Sequence, residues 1–134
     1  MKNKKNLSEQ EWKDLLTKEQ FEICRKKGTE PPFSGKYLDT KAKGTYKCVC
    51  CGKGLFLSKD KFDSGSGWPS FSESLGDESI RKQEDFSLFS QRTEVLCQYC
   101  DSHLGHVFED GPEPTGLRYC INSISIVLEE DEVS

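Results

Sequence analysis

Two Cys-x-x-Cys pairs, Cys48/Cys51 and Cys97/Cys100, stand 45 residues apart in a chain of 134. Each tight turn aims two thiolates at one edge of a tetrahedron, and two such knuckles make a closed four-cysteine zinc site. Any fold of this chain must therefore bring residues 48–51 and 97–100 together. A closed site leaves no open coordination position, so its expected role is structural, with one zinc per chain. Cys50 offers a second register, Cys48-x-Cys50; the Cys48/Cys51 pairing is preferred and leaves Cys50 free. A metal staple also suits the composition. Only 34% of residues are hydrophobic and mean hydropathy is −0.70, a thin supply of core for this length.

The length fits one domain over residues 1–134, with 1–6 and 129–134 expected to fray. A net charge of −4 argues against a nucleic-acid binder, which shows a basic face. No stretch approaches 18 consecutive apolar residues, so no membrane span is expected. The N-terminus is basic but lacks an apolar h-region, so it does not resemble a secretory signal. The expected compartment is the cytoplasm. Its thiols stay reduced, and the seven cysteines then read as ligands or catalysts rather than a disulfide framework.

Ser8 with Glu11, and Thr17 with Gln20, are capping-box pairs ahead of apolar residues at helical spacing. They predict short helices over 9–16 and 18–27, within an N-terminal helical segment 8–28 that Gly28 closes. Pro31 and Pro32 make 29–37 a loop. From Tyr46 onward short β-rich runs are separated by Gly, Ser, Asp and Pro, with a turn-helix expected at about 69–75. Arg118–Leu128 reads as a single long strand. Its period of two sets Arg118, Cys120, Asn122, Ile124, Ile126 and Leu128 on one face.

Cys120 would then lie between a guanidinium and an amide, and a guanidinium favours the reactive thiolate. Free cysteines on strands are more often inert core residues. The chain's two histidines, His103 and His106, begin three residues after the second knuckle, which would hold them rigidly. Acid–base and metal-ligand roles stand level for them on residue type alone. Gly65–Phe71 is a glycine-flanked loop carrying Trp68, an indole suited either to the wall of a small-ligand pocket or to closing the core.

Together these segments resemble the methionine-R-sulfoxide reductase (MsrB) family over nearly all of residues 20–128. The carrying motifs are Gly28–Phe33, the two Cys-x-x-Cys pairs, Phe62–Phe71, His103–Phe108, Asp110–Pro112 and Arg118–Ser123. The resemblance implies a mainly β fold of two antiparallel sheets with short N-terminal helices. It implies reduction of the R epimer of methionine sulfoxide, in oxidised proteins or free, to methionine. Cys120 would attack the sulfoxide sulfur and become a sulfenic acid. His103 and His106 would serve the sulfoxide oxygen, Arg118 and Asn122 would tune and orient the network, and Trp68, Phe108 and Asp110 would bind substrate. Ser66 stands where many members carry the resolving cysteine, and a hydroxyl forms no disulfide. Thioredoxin or a small thiol would reduce the sulfenic acid directly, or Cys24 would resolve it; direct reduction is the preferred expectation. The chain is expected to act as a monomer.

Overall fold

The computed structural model describes residues 7–76, 78–86 and 92–131. Both capping boxes form. Ser8 accepts from the Glu11 amide at 3.2 Å and Thr17 from the Gln20 amide at 3.1 Å, starting α1 (Glu9–Leu15) and α2 (Lys18–Cys24). Both helices stop short of the expected ends. Only Trp12 of α1 is buried, and Leu15 stays 59% exposed. α2 buries Phe21, Ile23 and Cys24. The Arg25 guanidinium covers the Trp12 ring at 4.3 Å and donates to the Cys100 carbonyl at 2.9 Å, tying the helices to the second knuckle.

Among the described residues nine strands follow: β1 (Gly44–Cys48), β2 (Gly54–Leu57), β3 (Lys61–Phe62), β4 (Ser70–Phe71), β5 (Ile80–Asp85), β6 (Arg92–Cys97), β7 (His103–Phe108), β8 (Arg118–Ile121) and β9 (Ile126–Glu130). They form two sheets, β2-β1-β9 and β3-β4-β8-β7-β6-β5, and every pairing is antiparallel. The expected mainly β architecture is thus present. Aromatic rings join the sheets: Phe56 of β2 stacks on Phe71 of β4 at 4.5 Å, Tyr46 of β1 meets Phe71 edge-on at 5.1 Å, and Phe56 meets Tyr119 of β8 at 5.6 Å. A few large rings fill a core that the composition leaves short of aliphatic residues.

Four local expectations change. The single strand over 118–128 is broken. β8 ends at Ile121, residues 123–125 form a 3-10 turn, and β9 belongs to the other sheet. Ser125 donates to the His103 carbonyl at 3.0 Å, Ser123 accepts the Tyr37 amide at 3.1 Å, and the Ile124 amide donates to Glu30 at 3.1 Å. Buried serines that bond main chain in this way compete with a strand ladder. The expected helix near 69–75 is instead strand β4, paired with β3 and β8. β5 was not foreseen. Its Arg-Lys-Gln-Glu interior carries no apolar alternation, and it forms as the edge strand of the larger sheet. Glu129 and Glu130, expected to fray, pair with Thr45 and Gly44. Residues 1–6 and 132–134, and 87–91 of an expected strand run, lie outside the described residues.

Candidate active site

The two knuckles share one backbone design. Cys48 and Cys97 each end a strand. The Gly52 amide returns to the Cys48 carbonyl and the Asp101 amide to the Cys97 carbonyl, both at 2.8 Å. Gly52 (φ 81°) and Asp101 (φ 62°) occupy matching left-handed positions that reverse the chain. The four expected sulfurs, of Cys48, Cys51, Cys97 and Cys100, lie within 4.8 Å of one another. Cys48 is 3.7 Å from Cys100 and Cys51 is 3.6 Å from Cys97. Four sulfurs at about 2.3 Å from a tetrahedral zinc stand about 3.8 Å apart, so the donor set and its spacing fit that ion. Cys50 is not one of the four; its sulfur packs beside those of Cys48 and Cys100 and bonds the Ser102 hydroxyl at 3.6 Å.

A second centre forms at β7 and β8, where a cavity of about 260 Å³ is lined by Ser66, Trp68, Arg92, His106, Cys120 and Asn122, with Phe108 and Arg118 beside them. Cys120 is directly opposite His106 across the β7–β8 pair. The strands approach closely because residue 105 is glycine: a Cβ there would fall 1.9 Å from the Cys120 carbonyl oxygen. A guanidinium nitrogen of Arg118 donates to the Cys120 sulfur at 2.6 Å. Asp110 grips the same guanidinium at 2.8 and 3.0 Å, and this pairing, more than the nearby sulfur, raises the pKa of Arg118. Asp110, expected to bind substrate, thus meets Arg118 and is not among the residues lining the cavity. The Ser66 hydroxyl stands 3.5 Å from the Cys120 sulfur.

His103 and His106 are three residues apart, a spacing that puts strand residues on opposite faces. A β-bulge restores the common side. Val95 pairs with Gly105 and Leu96 with His103, so Leu104 is the extra residue. The two rings meet edge-on at 5.6 Å. Each gives one nitrogen to a buried carboxylate: His103 Nδ1 lies 2.7 Å from Glu94, and His106 Nε2 lies 2.8 Å from Asp85. Burial pushes the His106 pKa below the usual imidazole value; Arg92 and His103 add to this, against the opposing bond to Asp85. His106 lines the cavity, whereas His103, 3% exposed, is not among the residues lining it.

Asn122 and Trp68 hang from one residue. The Glu30 amide donates to the Asn122 side-chain oxygen at 3.0 Å, and the Trp68 indole N–H donates to the Glu30 carbonyl at 3.0 Å. Cys24 is buried and bonds the Ser125 hydroxyl, in the 3-10 turn of residues 123–125, at 3.7 Å. Contact with Cys50, then burial, pushes its thiol above the ordinary cysteine range.

A family model described as the SelR domain matches residues 16–130. Over 129 residues the chain is 55% identical to the peptide methionine sulfoxide reductase MsrB of Acinetobacter baylyi, covering 96% of this chain and 93% of that protein. It is 59% identical over 121 residues to the MsrB of Teredinibacter turnerae, 90% of each chain, and 55% identical over 130 residues to that of Methanosarcina mazei, 97% of this chain and 93% of that protein. The chain belongs to the methionine-R-sulfoxide reductase (MsrB) family. Within this MsrB domain the acid partners of the histidines, Asp85 and Glu94, escaped the reading of the sequence. Neither left a signal: Glu94 follows Arg and Thr at the polar start of β6, and Asp85 ends a strand that is polar after Ile80. Lys27, whose ammonium touches both carboxylates, and Glu30 were also missed.

Proposed function

We propose that this protein reduces the R epimer of methionine sulfoxide, in oxidised proteins or free, to methionine, with Cys120 as the nucleophile. One observation carries the reading: a half-buried thiol, a guanidinium nitrogen 2.6 Å from it, a facing imidazole and an indole share one small cavity. The Cys120 sulfur attacks the sulfoxide sulfur. The oxygen needs a proton to leave, and His106, backed by His103, supplies the acid–base groups at that position. The protonated oxygen leaves the methionine sulfur, a hydroxyl is delivered to the Cys120 sulfur as its bond to methionine breaks, and methionine departs, so thiol plus sulfoxide becomes sulfide plus sulfenic acid. Trp68 and Phe108 supply the apolar wall for the substrate's methyl end. Asn122 orients the network from the Leu104 carbonyl, to which its amide donates at 3.1 Å. Asp110 acts through Arg118, holding the guanidinium on the sulfur.

Recycling proceeds by direct thiol attack. One thiol displaces water from the sulfenic acid, and a second releases Cys120 and leaves a disulfide of the reductant. Thioredoxin or a small thiol serves, because Ser66 offers a hydroxyl and not a thiol 3.5 Å from the sulfur, and Cys24 is buried against Ser125. The four-cysteine site holds zinc as a structural ion and takes no part in these steps. A cavity complete within one chain fits a monomer, and seven cysteines outside any disulfide, four of them placed as metal ligands, fit a reducing compartment such as the cytoplasm. Among the described residues no helix is long and apolar enough to cross a membrane.

The test is turnover of resolved R and S methionine sulfoxide with dithiothreitol, then with thioredoxin. R-specific turnover with both reductants is expected. Preference for the S epimer, or no turnover of either, overturns the assignment.

A further inference from the structure

The carboxylates behind the histidines are themselves held by a group that the reaction does not call on. Asp85 and Glu94 are 2% and 3% exposed. One oxygen of each meets a histidine. The other oxygens converge on a single ammonium: Lys27 Nζ is 3.2 Å from Oδ1 of Asp85 and 3.3 Å from Oε1 of Glu94. Lys27 lies in the turn after α2 with φ 62°, the left-handed region that a long side chain rarely adopts. The glycine beside it does not relieve this. Gly28 is spent on close approach, since a Cβ there would lie 3.0 Å from the Glu22 carbonyl oxygen. A non-glycine residue persists in such a conformation when the surrounding structure holds it there. The contacts that do so are the two carboxylates.

We infer that Lys27 is a positioning residue for the catalytic imidazoles, an ammonium clamp that locks the Asp85–His106 and Glu94–His103 pairs to each other from the segment after α2. The inference rests on the proposed acid–base role of those histidines. Two buried carboxylates packed this closely repel each other, and facing cations offset that cost. Lys27 faces both, and Arg92 reaches Asp85 at 3.5 Å. Burial works against the charged form of Glu94, but its bonds from His103 and Lys27 outweigh that and hold its pKa below the usual carboxylate value. Among the described residues, the charged and titratable groups near His106 are Asp85 from β5, Arg92 and Glu94 from β6, His103 from β7, and Arg118 and Cys120 from β8, with Lys27 bonded to Asp85 and Glu94. Loss of the ammonium leaves the layer one positive charge poorer. An imidazolium is then easier to form, and the two pairs lose their common anchor.

The decisive variant is Lys27→Met, compared with Lys27→Arg. The first readout is the titration of His106 by NMR in the substrate-free, zinc-loaded protein. Its midpoint should rise by about 0.5–1 pH unit in Lys27→Met, the effect of one partly screened charge a few ångströms away. The second is turnover of R methionine sulfoxide. kcat should fall about tenfold, a common consequence of a small misplacement of a catalytic group, with KM within about twofold and the alkaline limb of the kcat profile moved to higher pH. Lys27→Arg should restore both. Should Lys27→Met not fold, Lys27→Gln, which keeps a donor without the charge, is read in the same way. A variant that lowers thermal stability while leaving the His106 midpoint and the pH profile of kcat at their wild-type positions would make Lys27 a mere structural tie and overturn the inference. The NMR titration needs no turnover, so a wild type inactive on R methionine sulfoxide would overturn the proposed reaction separately.

Discussion

Replacing Ser66 by cysteine should convert direct recycling into recycling through an internal disulfide. In the native chain the Ser66 hydroxyl is 3.5 Å from the Cys120 sulfur, and a disulfide bond is about 2.0 Å long. The loop must therefore move by about 1.5 Å, less the extra length of a C–S bond. Gly65 (φ 73°) and Gly67 (φ 96°) flank the position, in left-handed backbone that glycine adopts without strain. Cross-linking 66 to 120 closes a loop of about 55 residues, worth about 4 kcal/mol through lost entropy of the unfolded chain. The oxidised variant should then melt about 10 °C or more above its reduced form. The assay is a single turnover without external reductant, followed by thiol titration under denaturing, chelating conditions and by peptide mapping. The wild type should lose one titratable thiol and the Ser66→Cys variant two, with a 66–120 bridge in the map. Loss of only one thiol by the variant would refute the geometry. A Cys24–Cys120 bridge at high yield in the wild type would refute direct recycling.

Removing one metal ligand by Cys51→Ser or Cys97→Ser should release the single bound zinc and lower the thermal midpoint, because the metal binding energy is folding energy in a chain with so small a core; metal analysis with a melting curve checks this, and a stable, metal-free wild type would contradict it. Cys120→Ser should abolish turnover while zinc content and circular dichroism stay unchanged, and the double change His103→Ala with His106→Ala should cost at least about 100-fold in kcat; near-native rates in either would remove those residues from the mechanism. The His106 pKa lies below its unfolded value of about 6.5, so the unfolded chain binds more protons as pH falls through that range. This group's contribution is therefore present above about pH 6.5 and is lost as pH drops through the depressed folded value. Urea midpoints measured from pH 7.5 to 5 should fall, and His106→Gln should flatten that part of the curve; an unchanged slope in the variant would refute the assignment to His106.

The sequence by itself determined the elements whose causes are local. Capping boxes at Ser8 and Thr17 start helices because a side chain and an amide three residues on satisfy each other. The two knuckles form because Cys-x-x-Cys turns need only their own backbone and a left-handed residue at Gly52 or Asp101. Cys120 stood out by its neighbours, and Arg118 does share its face because they are two apart on one strand. What depends on partners distant in the chain was decided by tertiary structure. The break at 122–125 arises because Ser123, Ile124 and Ser125 find bonds to Tyr37, Glu30 and His103 that strand geometry would forgo. The shared side of His103 and His106 depends on a bulge at Leu104, which exists only in the register of β7 against β6. Asp85 and Glu94 read as ordinary surface acids until β5 and β6 carry them under the histidines and Lys27 reaches them from another element. A charge reveals its role only through what faces it, and in this chain the facing groups come from residues 27, 85, 92, 94, 103 and 106, which only folding brings together.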